Sequence, residues 1–289
     1  MTATAIRPRR SLIFVPGDKP QMFPKALTTG ADIVCIDLED AVAPGDKDDA
    51  RERTVALFAD HGPGDADGPE RLVRINSLHT PDGLKDITAF VDARVPPPAI
   101  MIAKVKSRGE IVLLDDLLTE CGMATRFHVM IETNEALDAA YAIGQASNRI
   151  DSLVFGAIDM AADLRTTPTW ENMFYARSRV VHAAAGAGVD LLDVPWLDLN
   201  DMEGLEREAR AGAALGVTGK AAIHPKQIPI LNETFCPSAE EIQRAREIIA
   251  AFEASTGGLV VIDGKLIEKP VLRSMQRTVA IAERIAGRG

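Results

Sequence analysis

Glu132 and Asp159 stand just past two short apolar runs, 127–131 and 152–156, with helical spacing of apolar residues from Asn134 to Ile143 between them. Strand, acid, helix, strand, acid is the repeat of a parallel β/α fold, whose strand C-termini converge on the face where such folds do chemistry. Two carboxylates delivered there suit Mg²⁺, which takes hard oxygen ligands and completes its octahedron with substrate and water. The alternative for each acid is a helix N-cap or a solvated loop. Polar residues past other apolar runs weigh against that alternative: Glu39, Arg74, Lys104, Asp193 and His224 occupy comparable places.

The elements that must position these groups form a regular series. Strand candidates at 11–17, 33–38, 71–76, 99–103, 127–131, 152–156, 190–195 and 219–223 alternate with helical patterns. Alternation of this kind implies a parallel sheet, and eight units at roughly 250 residues favour a closed (β/α)₈ TIM barrel over a doubly wound sheet. No GxGxxG follows the first strand, which counts further against a dinucleotide-binding fold. The barrel is expected over residues 1–235.

Residues 236–289 are left over as a second unit. Ser238-Ala239-Glu240-Glu241 is a capping box that opens a helix, residues 259–267 read as a hairpin turning at Asp263-Gly264, and a last helix starts near Pro270. An extension this apolar needs a surface to bury against. This helix–hairpin–helix is expected to pack on a neighbouring subunit of an oligomer.

Bulk properties exclude several functions. The 289 residues carry 32 Lys plus Arg against 42 Asp plus Glu, a formal charge of -10. That argues against nonspecific nucleic-acid binding, which draws its affinity from neutralised phosphates. Cys35, Cys121 and Cys236 show neither CxxC spacing nor a disulfide framework. No apolar run approaches the ~20 residues of a membrane span, and the basic N-terminal segment lacks the apolar stretch of a secretory signal. A cytoplasmic location is expected.

Six motifs then fall in one order: SLIFVPG (11–17), DLEDAV (37–42), VRIN (73–76), IET (131–133), FGAIDM (155–160) and GKAAIHPKQ (219–227). Together they resemble the citrate lyase β-subunit and malyl-CoA/citramalyl-CoA lyase family of the HpcH/HpaI aldolase superfamily, over essentially the whole chain. The resemblance implies a Mg²⁺-dependent TIM barrel, trimeric or hexameric, that splits a 3-hydroxyacyl thioester into a 2-oxo acid and acetyl-CoA, or runs the condensation. It places the metal on Glu132 and Asp159 and the oxo-acid carboxylate on Arg74. It also implies acyl-CoA contacts at Phe14 and Lys25, and substrate contacts at Leu197 and Asp198 after the seventh strand. Glu39 and Asp40 would orient Arg74 and metal-bound water; their simpler reading is an ion pair with Arg74. Lys47 is a further candidate for the CoA phosphates, or a solvated surface lysine. His224 is expected to hold backbone rather than act as the base.

The chain departs from these relatives at Glu268. The resemblance implies a carboxylate in the second hairpin strand, usually aspartate before an x-Pro, that acts as acid/base in the next subunit's barrel. Here Ile267-Glu268-Lys269-Pro270 places the longer glutamate there. Three enzymatic readings stay open: a free-standing 3-hydroxyacyl-CoA lyase, a β subunit acting on an acyl-carrier thioester, and a malyl-CoA thioesterase. A catalytically silent CoA-ester binder is a fourth, disfavoured by the intact Arg74, Glu132 and Asp159.

Overall fold

The computed structural model describes residues 7–62, 64–65, 67–94, 96–255, 260–262, 265–267 and 269–287. Two compact units emerge, Arg9–Phe235 and Cys236–Gly289 together with Met1–Pro8. In the first, β1 (Ser11–Pro16), β2 (Ile33–Asp37), β3 (Glu70–Ile75), β4 (Ala99–Ile102), β5 (Arg126–Ile131), β6 (Ile150–Phe155), β7 (Asp190–Asp193) and β8 (Gly219–Ala222) close into a barrel. Every pairing is parallel, and β8 returns to β1 through Leu12 opposite Ala221. The helices are α1 (Phe23–Ala26), α2 (Lys47–His61), α3 (Pro81–Ala93), α4 (Arg108–Glu120), α5 (Asn134–Gly144), α6 (Ala157–Asp163), α7 (Trp170–Ala187), α8 (Met202–Leu215) and α9 (Ile228–Thr234). This is a (β/α)₈ TIM barrel, as the alternation implies.

Side-chain alternation along the strands divides the apolar residues into two cores. Leu12, Ile33, Cys35, Leu72, Met101, Met130, Val154, Leu192 and Ala221 fill the barrel interior. Their neighbours in sequence, among them Ile13, Val34, Val73, Ile100, Val129 and Leu153, point the other way and bury against the helices. The floor of the barrel is ionic: Arg9 reaches Glu70 at 2.8 Å, Asp151 at 3.0 Å and Asp190 at 3.0 Å, all nearly buried. His128 adds Nδ1 to Ser152 Oγ at 2.7 Å.

Loop chemistry sets the strand ends. Thr133, not Glu132, caps α5, its hydroxyl accepting from the Ala136 N–H at 3.1 Å. Gly216 ends α8 at φ 112°, a left-handed conformation that glycine adopts without a Cβ clash.

In the second unit α10 (Ala239–Ala254) starts at the expected capping box, Ser238 with Glu241, and packs along α11 (Lys269–Ala286). Strands β9 (Val260–Ile262) and β10 (Lys265–Ile267) pair antiparallel, Ile262 opposite Lys265. Asp263, Gly264 and Glu268 lie outside the described residues.

Candidate active site at the C-terminal mouth of the barrel

The inward-facing series does not stop at the apolar layer. Two residues past Cys35, Leu72 and Met130 on their strands come Asp37, Arg74 and Glu132, and two past Leu12 comes Phe14. The period of two therefore stacks one aromatic and three charged side chains directly above the interior core. Asp37 and Arg74 are register partners. They join through Nε to Oδ1 at 2.8 Å and Nη2 to Oδ2 at 2.5 Å. The guanidinium lies over the Phe14 ring, 5.0 Å from its centroid, and Nη1 is 3.1 Å from Glu39 Oε2. Burial costs Arg74 some of its hydration, but Asp37 and Glu39 outweigh that and raise its pKa further.

Glu132 is 1% exposed. One oxygen, Oε1, accepts the Lys104 backbone N–H at 2.6 Å. The other sits beside Gly156, where an added Cβ would come within 2.5 Å of both Glu132 Oε2 and Glu132 Cβ. Only glycine leaves this carboxylate room. Burial first, and then the charge of Asp159, push the Glu132 carboxyl up to about 8. Asp159 occupies the first turn of α6, half-buried, and burial raises its pKa as well. The helix-cap alternative thus fails for Glu132, whose neighbour Thr133 does that work. Asp159 is not a cap either: Gly156 takes the N-cap of α6, and Asp159 lies within the first turn.

The loop after β2 adds a second charged set. Glu39 is buried, and burial raises its pKa against the pull of Arg74. The Lys104 ammonium meets Glu39 Oε1 in a short contact and Asp40 Oδ1 at 3.3 Å. Burial would raise Asp40 too, but its hydrogen bond with Glu39 and the Arg74 and Lys104 charges outweigh that and lower it.

These groups open into a cavity of about 520 Å³. Asp37, Asp40, Arg74, Glu132 and Asp159 supply its charged lining; Phe14, Met130, Val154, Ile158, Val194, Pro195, Ala221 and Ile223 supply its apolar lining. Asp193 also borders it, but its carboxylate is taken by Arg177 Nε and Lys220 Nζ, each at 3.1 Å. Among the described residues there is no group of three or more His, Cys, Asp or Glu side chains that could hold a metal. The buried Glu132, with an oxygen left free, and the half-buried Asp159 suit instead a hard divalent cation that keeps positions for water and substrate.

The structure brings Phe14, Arg74, Glu132 and Asp159 together, with Asp40 also lining the cavity and Glu39 buried against the arginine. It does not bring Lys25, Leu197 or Asp198 to the cavity. Lys25 is exposed on α1; Leu197 and Asp198 are exposed after β7, where Asp198 accepts the Asn200 N–H at 2.8 Å. Lys47 donates to the carbonyls of Leu38 at 2.9 Å and Glu39 at 2.8 Å, so it braces the β2 loop. His224 is exposed and accepts the Lys226 backbone N–H on Nδ1 at 3.1 Å, the backbone role expected of it. Sequence reasoning missed Asp37 and Gly156. The alternation that carries Cys35 inward carries Asp37 inward too, and that signal was available.

A closed parallel barrel with the buried Arg74 and Glu132 and the half-buried Asp159 at its C-terminal mouth is built as an active site, and comparison with known proteins gives its class. The family model described as HpcH/HpaI aldolase/citrate lyase matches residues 10–225. The chain belongs to this family. It is 33% identical to the citrate lyase subunit beta of Leuconostoc mesenteroides subsp. cremoris, over 96% of this chain and 94% of that protein. It is 34% identical to the L-malyl-CoA/beta-methylmalyl-CoA lyase of Cereibacter sphaeroides, over 97% and 96%. Among solved structures, CitE of Mycobacterium tuberculosis in complex with magnesium, acetoacetate and coenzyme A superposes with a TM-score of 0.77 at 28% identity, covering 97% of this chain and 100% of that one. The enzyme is a carbon–carbon lyase.

Proposed function

We propose that this lyase cleaves, or forms, the bond between C2 and C3 of a 3-hydroxyacyl-CoA such as malyl-, citramalyl- or citryl-CoA, exchanging it with a 2-oxo acid and acetyl-CoA. The observation that carries the reading is the lining of one cavity by both Arg74 and the Glu132–Asp159 pair. The arginine offers a cation to a substrate carboxylate; the two acids offer anions to Mg²⁺. The magnesium, acetoacetate and coenzyme A of the Mycobacterium structure, and the malyl-CoA lyase relative, support the same division.

The chain's own residues explain much of the binding. Asp37 holds the Nε–Nη2 edge of Arg74, while Glu39 and Asp40 stand 3.1 Å and 3.7 Å from Nη1, so an incoming carboxylate would meet Nη1 and the outer N–H of Nη2 in competition with those two acids. Phe14 packs under the guanidinium and keeps it planar to that approach. Glu132 and Asp159 would hold Mg²⁺, which when bound supplies Lewis-acid polarisation of a substrate oxygen. The apolar wall excludes water from the breaking bond. Glu268, outside the described residues, is proposed as the acid/base at the acetyl carbon, supplied by a neighbouring subunit of a homotrimer or hexamer. Lys25, Leu197 and Asp198 remain proposed contacts for the CoA ester beyond the cavity.

A second reading has its own support in the citrate lyase subunit beta relative: the same cleavage on an acyl-carrier thioester. One experiment separates the readings. Purified enzyme with Mg²⁺ is given malyl-, citramalyl- and citryl-thioesters of CoA and of an acyl carrier, with both oxo acid and free thiol followed. Oxo acid with intact acetyl thioester is expected from a CoA ester. Turnover confined to carrier esters supports the second reading, and free thiol without oxo acid means thioester hydrolysis and defeats both.

A further inference from the structure

We infer that Lys104 is a positioning residue of this site, its backbone N–H aiming Glu132 and its ammonium weakening the hold of Glu39 and Asp40 on the Nη1 edge of Arg74 that the substrate carboxylate must share. The inference rests on the function proposed above. Three described non-glycine residues have positive φ: Arg94 caps the end of α3, Arg165 follows α6, and Lys104, at φ 52°, follows strand β4. The first is a helix end and the second adjoins one. The third breaks from an extended strand into the left-handed region, which a side chain with a Cβ rarely adopts and which persists where the surroundings impose it.

What imposes it is visible at both ends of the residue. The left-handed turn points the N–H at Glu132 Oε1, 2.6 Å away, and so leaves Oε2 as the free oxygen beside Gly156. The side chain meanwhile crosses to the β2 loop and binds Glu39 Oε1 and Asp40 Oδ1. Glu39 is therefore shared: one oxygen on Lys104, the other 3.1 Å from Arg74 Nη1. Asp37, Glu39 and Asp40 place three anions around Arg74, and Lys104 supplies the second cation. Asp40 Oδ2 also stands 3.7 Å from Nη1, so without Lys104 both acids are left to Arg74 alone and compete more strongly for the edge the substrate needs, while the local field turns against an incoming anion.

Three variants separate the two arms, read by Mg²⁺ titration calorimetry without substrate and by steady-state kinetics with acetyl-CoA and glyoxylate or pyruvate. Lys104→Gly accepts the positive φ and keeps the N–H but loses the ammonium. Mg²⁺ affinity should stay within about twofold of wild type while the oxo-acid KM rises about tenfold or more. Lys104→Met keeps a Cβ in the left-handed turn with nothing to anchor it, so Mg²⁺ binding should weaken as well, by about threefold or more. Lys104→Arg should restore both. An unchanged oxo-acid KM in Lys104→Gly overturns the ammonium role, and wild-type Mg²⁺ affinity in Lys104→Met overturns the backbone role. Asp159→Asn is the control: if it binds Mg²⁺ as tightly as wild type, the metal assignment has failed rather than the role of Lys104. Where turnover is too slow to follow, oxaloacetate binding to the Mg²⁺-loaded variants replaces KM in the same comparison.

Discussion

Arg74 and Asp37 face each other across the β2–β3 pair and share two near-parallel hydrogen bonds, 2.8 Å and 2.5 Å long, both buried. The register makes this unavoidable, because the two Cα atoms are partners and both side chains take the inward phase. Lysine keeps the charge but has no fork with which to hold Asp37 and a substrate carboxylate together. Arg74→Lys should lower kcat/KM for the oxo acid by about 10²-fold, the scale of a displaced binding group. Asp37→Asn should act in the same direction by loosening the guanidinium. Steady-state kinetics at varied oxo acid tests both, and an unchanged oxo-acid KM in Arg74→Lys would sink the assignment.

Gly156 is the space that the Glu132 carboxylate occupies. Its φ of -94° suits any residue, so the constraint is steric and not conformational. A methyl group there would stand 2.5 Å from Glu132 Cβ, an atom that cannot swing aside as a carboxylate can. Gly156→Ala should move Glu132, weakening Mg²⁺ binding by about tenfold or more, with a cost in thermal stability of about 1–3 kcal/mol typical of overpacking. Calorimetry beside a thermal melt would show it. Wild-type Mg²⁺ affinity would mean that Glu132 does not hold the ion.

The barrel was legible because its signal repeats: eight apolar runs at strand length, each separated by helical spacing, leave few other topologies. Glu132 and Asp159 were legible for the same reason, standing at matching places in consecutive units. Arg74's partner was less so. From sequence Glu39 and Asp40 look equivalent to Asp37 as pairs for the arginine, and only strand register shows that Asp37 takes the bidentate position. Lys47 shows the opposite limit, since a lysine that braces two carbonyls and one that awaits a phosphate look the same until the loop is folded. Lys104's left-handed backbone leaves no trace in sequence at all, because lysine is not the residue that φ of this sign selects.

At the far end of the barrel, Arg9 pairs with Glu70, Asp151 and Asp190, while buried His128 also stands 3.4 Å from Glu70 and Arg126 reaches Asp151 at 3.1 Å. Arg9→Met would remove the cation these three buried carboxylates share, a loss on the order of 3–5 kcal/mol. Burial alone would raise Glu70, but His128 and Arg9 outweigh it and hold its carboxyl well below the usual value of 4.5. A depressed carboxyl stabilises the fold above its ordinary value and loses that contribution as pH falls through the folded value. Urea unfolding of Arg9→Met should therefore show a lower midpoint at neutral pH and a weaker acid dependence than wild type. Mg²⁺ affinity, set at the opposite face, should stay unchanged.

Glu268 is tested through assembly. Glu268→Gln should impair turnover severely without weakening Mg²⁺ binding, since the proposed ligands sit on the barrel. Mixed with Asp159→Asn protein, it should recover some activity, because a mixed oligomer can join an intact barrel to an intact hairpin. Asp159 suits the pairing: it is half-buried, whereas removing buried Arg74 would strand Asp37 and Glu39. A mixture that stays inactive after subunit exchange is confirmed would remove Glu268 from the shared site.

The last expectation follows from Glu132, whose carboxyl is pushed up to about 8 from an ordinary 4.5, by burial first and by Asp159 next. The folded metal-free enzyme thus keeps a proton that the unfolded chain has already lost. Such a group contributes its full stability below its unfolded value, and the contribution drains away as pH rises through the folded value. Between those limits the slope is about 1.4 kcal/mol per pH unit. Mg²⁺ pulls the other way, since it binds the anion and must expel the proton; its affinity should grow about tenfold per unit up to about pH 8 and then level. Urea melts in chelator from about pH 5 to about pH 9 should show wild type losing stability across the window, with Glu132→Gln nearly flat. Equal slopes in the two proteins would mean that Glu132 is already ionised without metal and that Lys104 and Arg74, not a bound cation, balance its charge.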